Sequence, residues 1–248
     1  ISLGLVGSEM CIRDRIRGVS MPGQMCLVGG EEFRVGCEEM DQEIMSASGQ
    51  NPARVVVIPT AAVTGPAKAA NDGVTHFAKL GGDCSQLMVL EREHAQDSKL
   101  IQPSRNAGVI YFTGGSPDYL LSTIKDSQLL QEIRDAVESG AVLAGSSAGA
   151  MVMGAMMRRP STGGWIEALG LVPGIAVMPH HENRNPLETS KELQGQVPSD
   201  LIVLGVDARS GCLGSPGNWK AIGSGNVTVY RGSDWDVYQS GQYLPGDV

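Results

Sequence analysis

Histidine, cysteine and aromatic side chains are scarce in this chain, and each shortage removes a class of function. Four histidines and five cysteines at irregular spacing (Cys11, Cys26, Cys37, Cys84, Cys212) supply no C-x-x-C pair and no zinc-ligand pattern. The same spacing makes no disulfide framework, so reduced and mostly buried thiols in a cytoplasmic protein are expected. No apolar run approaches the roughly 20 residues that cross a bilayer, which argues against a membrane partner. Positive charge is short as well: 19 Lys and Arg against 27 Asp and Glu leave a formal charge of -8. Arg158-Arg159 is too small a patch to offset that charge, so nucleic acid is excluded as a partner. What remains, 248 residues that are 42% apolar and 19% charged, suits one α/β core.

The first residues stand apart. Ile1 to Arg15, ISLGLVGSEMCIRDR, has no periodicity and no basic stretch ahead of its apolar part, so it does not read as a secretory signal. It looks like a translated sequencing adapter joined to a genuine reading frame. Residues 1–20 are therefore expected to be a non-native leader and 21–248 a single α/β domain.

From Gln24 onward short β-branched runs alternate with amphipathic stretches, the pattern of βαβ units and a largely parallel sheet with helices on both faces. Strands are expected at Met25–Val28, Val55–Ile58, Leu87–Leu90, Val109–Phe112, Val142–Ala144, Ile175–Met178 and Ile202–Val206. The clearest helix is Ser127–Glu138, where Leu129, Leu130, Ile133, Ala136 and Val137 share one face and Gly140 ends the run. A second is expected from Pro66 to Leu80. After Val206, Trp219–Ile222 and Val227–Tyr230 flank Gly223-Ser224-Gly225-Asn226 and read as a closing β-hairpin or antiparallel edge. Pro160–Gly164 is expected to be a mobile loop, and the tail beyond Tyr238 disordered.

In a parallel sheet, chemistry collects at the carboxyl ends of the strands. Four segments fall there: Gly29-Gly30-Glu31-Glu32, Thr113-Gly114-Gly115-Ser116, Gly145-Ser146-Ser147-Ala148-Gly149 and Pro179-His180-His181-Glu182-Asn183-Arg184. The third is G-x-S-x-G, a strand-to-helix turn whose small residues let the Ser147 hydroxyl project beside the first helical N–H groups. A hydroxyl nucleophile needs a base. His180 and His181 are the histidines at a predicted strand end, and alternation sends one toward the site and the other away. His76 and His94 read as structural. Backbone N–H groups of Gly115 and Ala148 suit an oxyanion hole.

Taken in order, Phe112-Thr113-Gly114-Gly115, the Ser147 turn, Ala168-Leu169-Gly170-Leu171-Val172-Pro173-Gly174 leading to His180, and Leu204-Gly205-Val206-Asp207 resemble the dipeptidase E and cyanophycinase family of serine peptidases. The resemblance implies a flavodoxin-like fold similar to class I glutamine amidotransferases. It implies Ser147 as nucleophile, His180 as base, Gly115 and Ala148 as oxyanion hole, and cleavage of small acidic peptides or isopeptides without cofactor or metal. Three departures bear on this. The family's glutamate after the catalytic histidine is replaced by Ala208, so the acid of the triad is assigned to Asp207, with Glu167 and Glu182 as alternatives. Ser116-Pro117 stands where cyanophycinase-like chains carry Asn-Gln, and Pro186 replaces an arginine, although Arg184 is retained. A short acidic or β-aspartyl peptide is thus expected rather than cyanophycin, contacted by Gly114, Ser116 and Arg184, with a homodimer left open.

Other classes compete. A thiol amidotransferase would need cysteine at position 147, and an α/β-hydrolase esterase normally has its histidine near the chain end, whereas none follows His181. A binding protein on the same scaffold would keep the pocket and lose the acid, which Ala208 favours.

Overall fold

The computed structural model describes residues 23–248; the expected leader at 1–20 lies outside the described residues. Strands β1 (Met25–Val28), β2 (Arg54–Ile58), β3 (Asp83–Gln86), β4 (Val109–Phe112) and β5 (Val142–Ser146) form a parallel array ordered β3-β2-β4-β5-β1. Beyond β5 come β6 (Gly154–Arg158), β7 (Trp165–Glu167), β8 (Val172–Met178), β9 (Ile202–Val206), β10 (Ser210–Ser215), β11 (Asn218–Gly223), β12 (Asn226–Arg231) and β13 (Asp234–Gln239). Antiparallel β10 and β11 extend the first sheet past β1, and a six-stranded second sheet runs β13-β12-β9-β8-β6-β7. The mixed α/β class with a mostly parallel core is as expected, but β8 and β9 pair with each other in a sheet of their own rather than joining the first.

The two faces of the first sheet are covered differently. On one, α1 (Glu38–Ala47) and α2 (Pro66–Lys79) bury Met40, Ile44 and Phe77 against Val55, Val57 and Tyr111. On the other, α3 (Pro117–Ile124), α4 (Gln128–Glu138) and α5 (Ala148–Met153) pack into a larger core that continues into the second sheet through Val177, Leu204 and Val229. Ser127 and Ser116 start their helices by accepting from the N–H groups of Leu130 and Tyr119, which satisfies donors that a helix start leaves unpaired.

Two expectations are corrected, and a third, the closing hairpin or antiparallel edge, is refined. The third strand is Asp83–Gln86 and not Leu87–Leu90: Leu87 N–H still donates to the Val57 carbonyl, but the chain then turns, and Leu87 and Val89 are buried from a loop. Apolar residues there serve the core without ladder pairing. The closing hairpin is β12 with β13, while β11 forms an antiparallel edge on β10. The tail beyond Tyr238 is also ordered, because Leu244 and Val248 are buried and Leu244 N–H donates to the Trp219 carbonyl. Pro160–Gly164 is the turn between β6 and β7, closed by Arg159 N–H donating to the Gly164 carbonyl at 2.8 Å. Among the described residues no helix is long and apolar enough to cross a membrane.

Phe77 is fully buried, with ring centroids 5.3 Å from Tyr111 and 5.8 Å from Phe33. Phe77→Ala should leave a cavity between α2 and the sheet and cost about 3–5 kcal/mol, read as a lower urea midpoint at unchanged slope. His181 provides a pH test. Its Nε2 lies 2.9 Å from the Tyr230 hydroxyl, and burial lowers its pKa, outweighing the opposing pull of Asp207 and Glu182; Arg184 adds to the lowering. The unfolded chain therefore binds this proton more readily than the fold does. The contribution is complete above the ordinary histidine value of about 6.5 and is lost as pH falls through the folded value. The melting temperature of the wild type should drop between pH 7 and pH 5, and by less in His181→Gln.

Candidate active site

The turn after β5 is built by close packing. A Cβ on Gly145 would lie 2.5 Å from the Gly149 carbonyl carbon, and one on Gly149 would lie 2.7 Å from the Phe112 oxygen. Glycine at both positions lets α5 start directly off the strand end. Ser147 takes the strain, with φ 50° and ψ -106°, and its N–H donates to the Val28 carbonyl at 2.9 Å. Such a backbone persists only where the surroundings hold it.

His180 follows β8 in a left-handed conformation, φ 52° and ψ 45°, and its N–H donates to the Gly29 carbonyl at 2.8 Å. That bond brings an exposed imidazole from the second sheet to the serine on the first, and Nε2 lies 3.1 Å from Ser147 Oγ. The adjacent histidine points the other way, as expected, but through the left-handed turn at His180 and not strand alternation: His181 is buried against Tyr230. Gly30, at φ +126°, forms the seat of the His180 ring, because a Cβ there would lie 2.2 Å from His180 Cε1.

The acid is arranged differently from the expectation. Asp207 Oδ2 accepts from the backbone and side-chain nitrogens of Asn226 at 2.9 and 3.1 Å, and Oδ1 is 4.0 Å from His181 Nδ1, so its carboxylate faces the neighbouring histidine. Glu167 is exposed and 4.0 Å from Lys125. Glu182 accepts from Ala208 N–H at 2.8 Å. Burial alone would raise its carboxyl, but the backbone donors of Ala208 and Glu182, with His180 and His181 nearby, hold it below the usual range. Among the described residues no carboxylate oxygen approaches His180 within 4.0 Å.

Gly114 lies beside the serine: a Cβ there would be 3.4 Å from Ser147 Cβ. The N–H groups of Gly115 and Ala148 have no backbone or side-chain acceptor among the described residues, leaving both available. The Ser116 hydroxyl is engaged as the cap of α3, at 3.3 Å from Tyr119 N. Arg184 shares Glu192 with Arg158, at 3.2 and 2.7 Å, and lines a separate cavity of about 330 Å³ with Arg159, Met178 and Pro179. Ser147, His180, Gly114 and Gly115 open instead on a cleft of about 700 Å³, whose other lining includes Arg34, Lys68 and Lys79 together with Glu31, Glu38 and Asp72.

Two features of the cleft escaped the sequence. His76, read as structural, lines it while its Nε2 lies 2.8 Å from the buried Asp41. Glu32 reaches across the cleft side of the sheet to Gly114 and Ser146. Its one sequence signal was membership of the strand-end segment Gly29–Glu32. Among the described residues the thiols offer no rival nucleophile: burial raises Cys37 and Cys84 to about 11 and pushes Cys26 and Cys212 well above the ordinary thiol range.

Gly30→Ala is expected to fold and to push the His180 ring aside. A crystal structure of the variant should show the Ser147 Oγ to His180 Nε2 separation opened beyond hydrogen-bond reach, and an unchanged separation would contradict the role given to Gly30.

The chain is similar to known peptidases in both sequence and structure. Cyanophycinase from Trichormus variabilis is 26% identical over 215 residues, spanning 82% of this chain and 72% of its own. Peptidase E from Nostoc sp. is 28% identical over 172 residues, spanning 67% of this chain and 68% of its own. The crystal structure of a peptidase from an acI-B1 Actinobacterium superimposes with a TM-score of 0.80 at 27% identity, over 91% of this chain and 98% of that one. The profile of Peptidase family S51 matches residues 25–210, well over half the length, and the chain belongs to that family.

Proposed function

We propose that this chain is a serine peptidase that hydrolyses short acidic or β-aspartyl peptides, as an exopeptidase or isopeptidase, through an acyl-enzyme. The observation that carries the reading is the 3.1 Å contact between Ser147 Oγ and His180 Nε2 on a strained strand-to-helix turn. Ser147 Oγ attacks the substrate carbonyl and its proton passes to His180 Nε2. The oxyanion that forms accepts from the N–H groups of Gly115 and Ala148, whose lack of other partners among the described residues supports that role. His180 then protonates the leaving amine as the C–N bond breaks. In the second half, His180 takes a proton from water, the hydroxide attacks the ester, and the proton returns to Ser147 as the acid product leaves.

The size and charge of the cleft support the substrate class. A cleft of about 700 Å³ suits a short peptide, within the roughly 300–1,000 Å³ usual for small-ligand sites. Arg34, Lys68 and Lys79 on its walls offer partners for substrate carboxylates. The relatives named cyanophycinase and peptidase E support the coarser part of the reading, hydrolysis of a peptide.

One observation favours a second reading, a peptide-binding protein with little turnover. Among the described residues His180 has no carboxylate at its far nitrogen, and loss of that orienting group can cost on the order of 10⁴ in rate. Incubation with Asp-X and β-aspartyl dipeptides separates the two. Hydrolysis should be measurable in the wild type and fall to background in Ser147→Ala and His180→Ala, and the wild type alone should be labelled at Ser147 by a fluorophosphonate. Equal rates in wild type and Ser147→Ala would remove serine catalysis from consideration, and saturable dipeptide binding without hydrolysis or labelling would establish the second reading.

A further inference from the structure

The reaction described above leaves Glu32 without a role, yet this side chain makes two contacts that converge on the serine. It leaves the loop after β1, and its two carboxylate oxygens go to different parts of the chain. Oε1 accepts from Gly114 N–H at 2.7 Å, and Oε2 accepts from the Ser146 hydroxyl at 2.7 Å. Ser146 is fully buried and precedes Ser147, and Gly114 precedes Gly115. Both bonds are charge-assisted, the stronger class. Glu32 itself is only partly buried and lines the cleft, so its carboxylate is held at the site without being sealed into the core.

We propose that Glu32 is the positioning residue of this site, a tether that fixes the loop after β4 against the serine turn and so sets the distance between Ser147 Oγ and the Gly115 N–H. The inference rests on the serine-peptidase reading for its catalytic meaning. Without Glu32, the peptide between Thr113 and Gly114 would lose its acceptor, and the Gly114-Gly115 pair would be free to rotate. A misplaced oxyanion donor stabilises the transition state less while leaving ground-state binding nearly unchanged. Glutamine can preserve both contacts, because its amide oxygen can accept from Gly114 N–H while its NH₂ group donates to Ser146 Oγ.

The test compares Glu32→Ala, Glu32→Gln and Ser146→Ala with the wild type in dipeptide hydrolysis, with thermal melting to confirm folding. Glu32→Ala should lower kcat by about 10²-fold with KM nearly constant, Glu32→Gln should stay within about tenfold of wild type, and Ser146→Ala should fall between. Wild-type turnover in Glu32→Ala would overturn the tether, as would equal loss in Glu32→Gln and Glu32→Ala. Should Glu32→Ala fail to fold, Glu32→Gln and Ser146→Ala decide: strong activity in the first and reduced kcat in the second support the tether, and any other order overturns it. The Gly114 amide proton, followed by NMR in glycine-labelled protein, reports on the tether apart from turnover. It should lie far downfield in the wild type and move upfield in Glu32→Ala or, less far, in Glu32→Gln. If the wild type neither hydrolyses dipeptides nor reacts with a fluorophosphonate, the serine-peptidase reading fails, while this resonance still decides the tether, an unmoved signal counting against it.

Discussion

The whole site depends on a backbone clasp at Gly29-Gly30. Gly29 donates its N–H to the Ser210 carbonyl and accepts at its own carbonyl from His180, while the Gly30 carbonyl accepts from Arg209. Three main-chain bonds therefore gather the end of β1, the end of β8 and the start of β10 at one point. Serine and histidine sit on different sheets, so their 3.1 Å separation measures how well those sheets are docked. Backbone bonds suit this task because their geometry does not depend on side-chain rotamers, and the apolar contacts that carry the core from one sheet into the other set the spacing behind them.

Order is distributed unevenly around the serine. On the side of the proposed oxyanion hole, glycine packing, the bond from Ser147 to Val28 and the two contacts of Glu32 restrain the serine turn and the Gly114 peptide. On the side of the proposed base the imidazole is placed by its own backbone and by the absence of a side chain at Gly30, with no carboxylate among the described residues bonded to its far nitrogen. Asp207 lies close in the chain to where such an acid is wanted, but it braces Asn226 and faces His181. Under the proposed peptidase chemistry, such a site would rely more on preformed donors than on an acid behind the histidine.

Much of the fold was legible because its signals are local. β1, β4 and β9 were placed at their observed bounds, and the Gly145–Gly149 turn declared its serine, since β-branched runs and small residues act within a few positions. His180 was legible just past the end of β8, and His181 as the neighbour turned away from the site. What stayed hidden depends on distant pairing. Ser210–Ser215, written SGCLGS, has little strand character by itself and becomes β10 because β1 presents an open antiparallel edge. Leu87 and Val89 mimic a strand because burial needs apolar residues whether or not the backbone is paired. The direction of Asp207 and the reach of Glu32 follow from contacts spanning many residues, which no spacing rule encodes.

The C-terminal segment has a consequence for association. Along β11, Ala221 N–H donates to the Gln242 carbonyl, Gly241 N–H donates to the Ala221 carbonyl, and Leu244 N–H donates to the Trp219 carbonyl, so the outer rim of the first sheet is occupied by the chain's own backbone. A sheet grows by offering unpaired main-chain groups to a newcomer, and an occupied rim offers few. Any protein that meets this molecule at that border must therefore recognise it through side chains and shape, not by contributing a further strand.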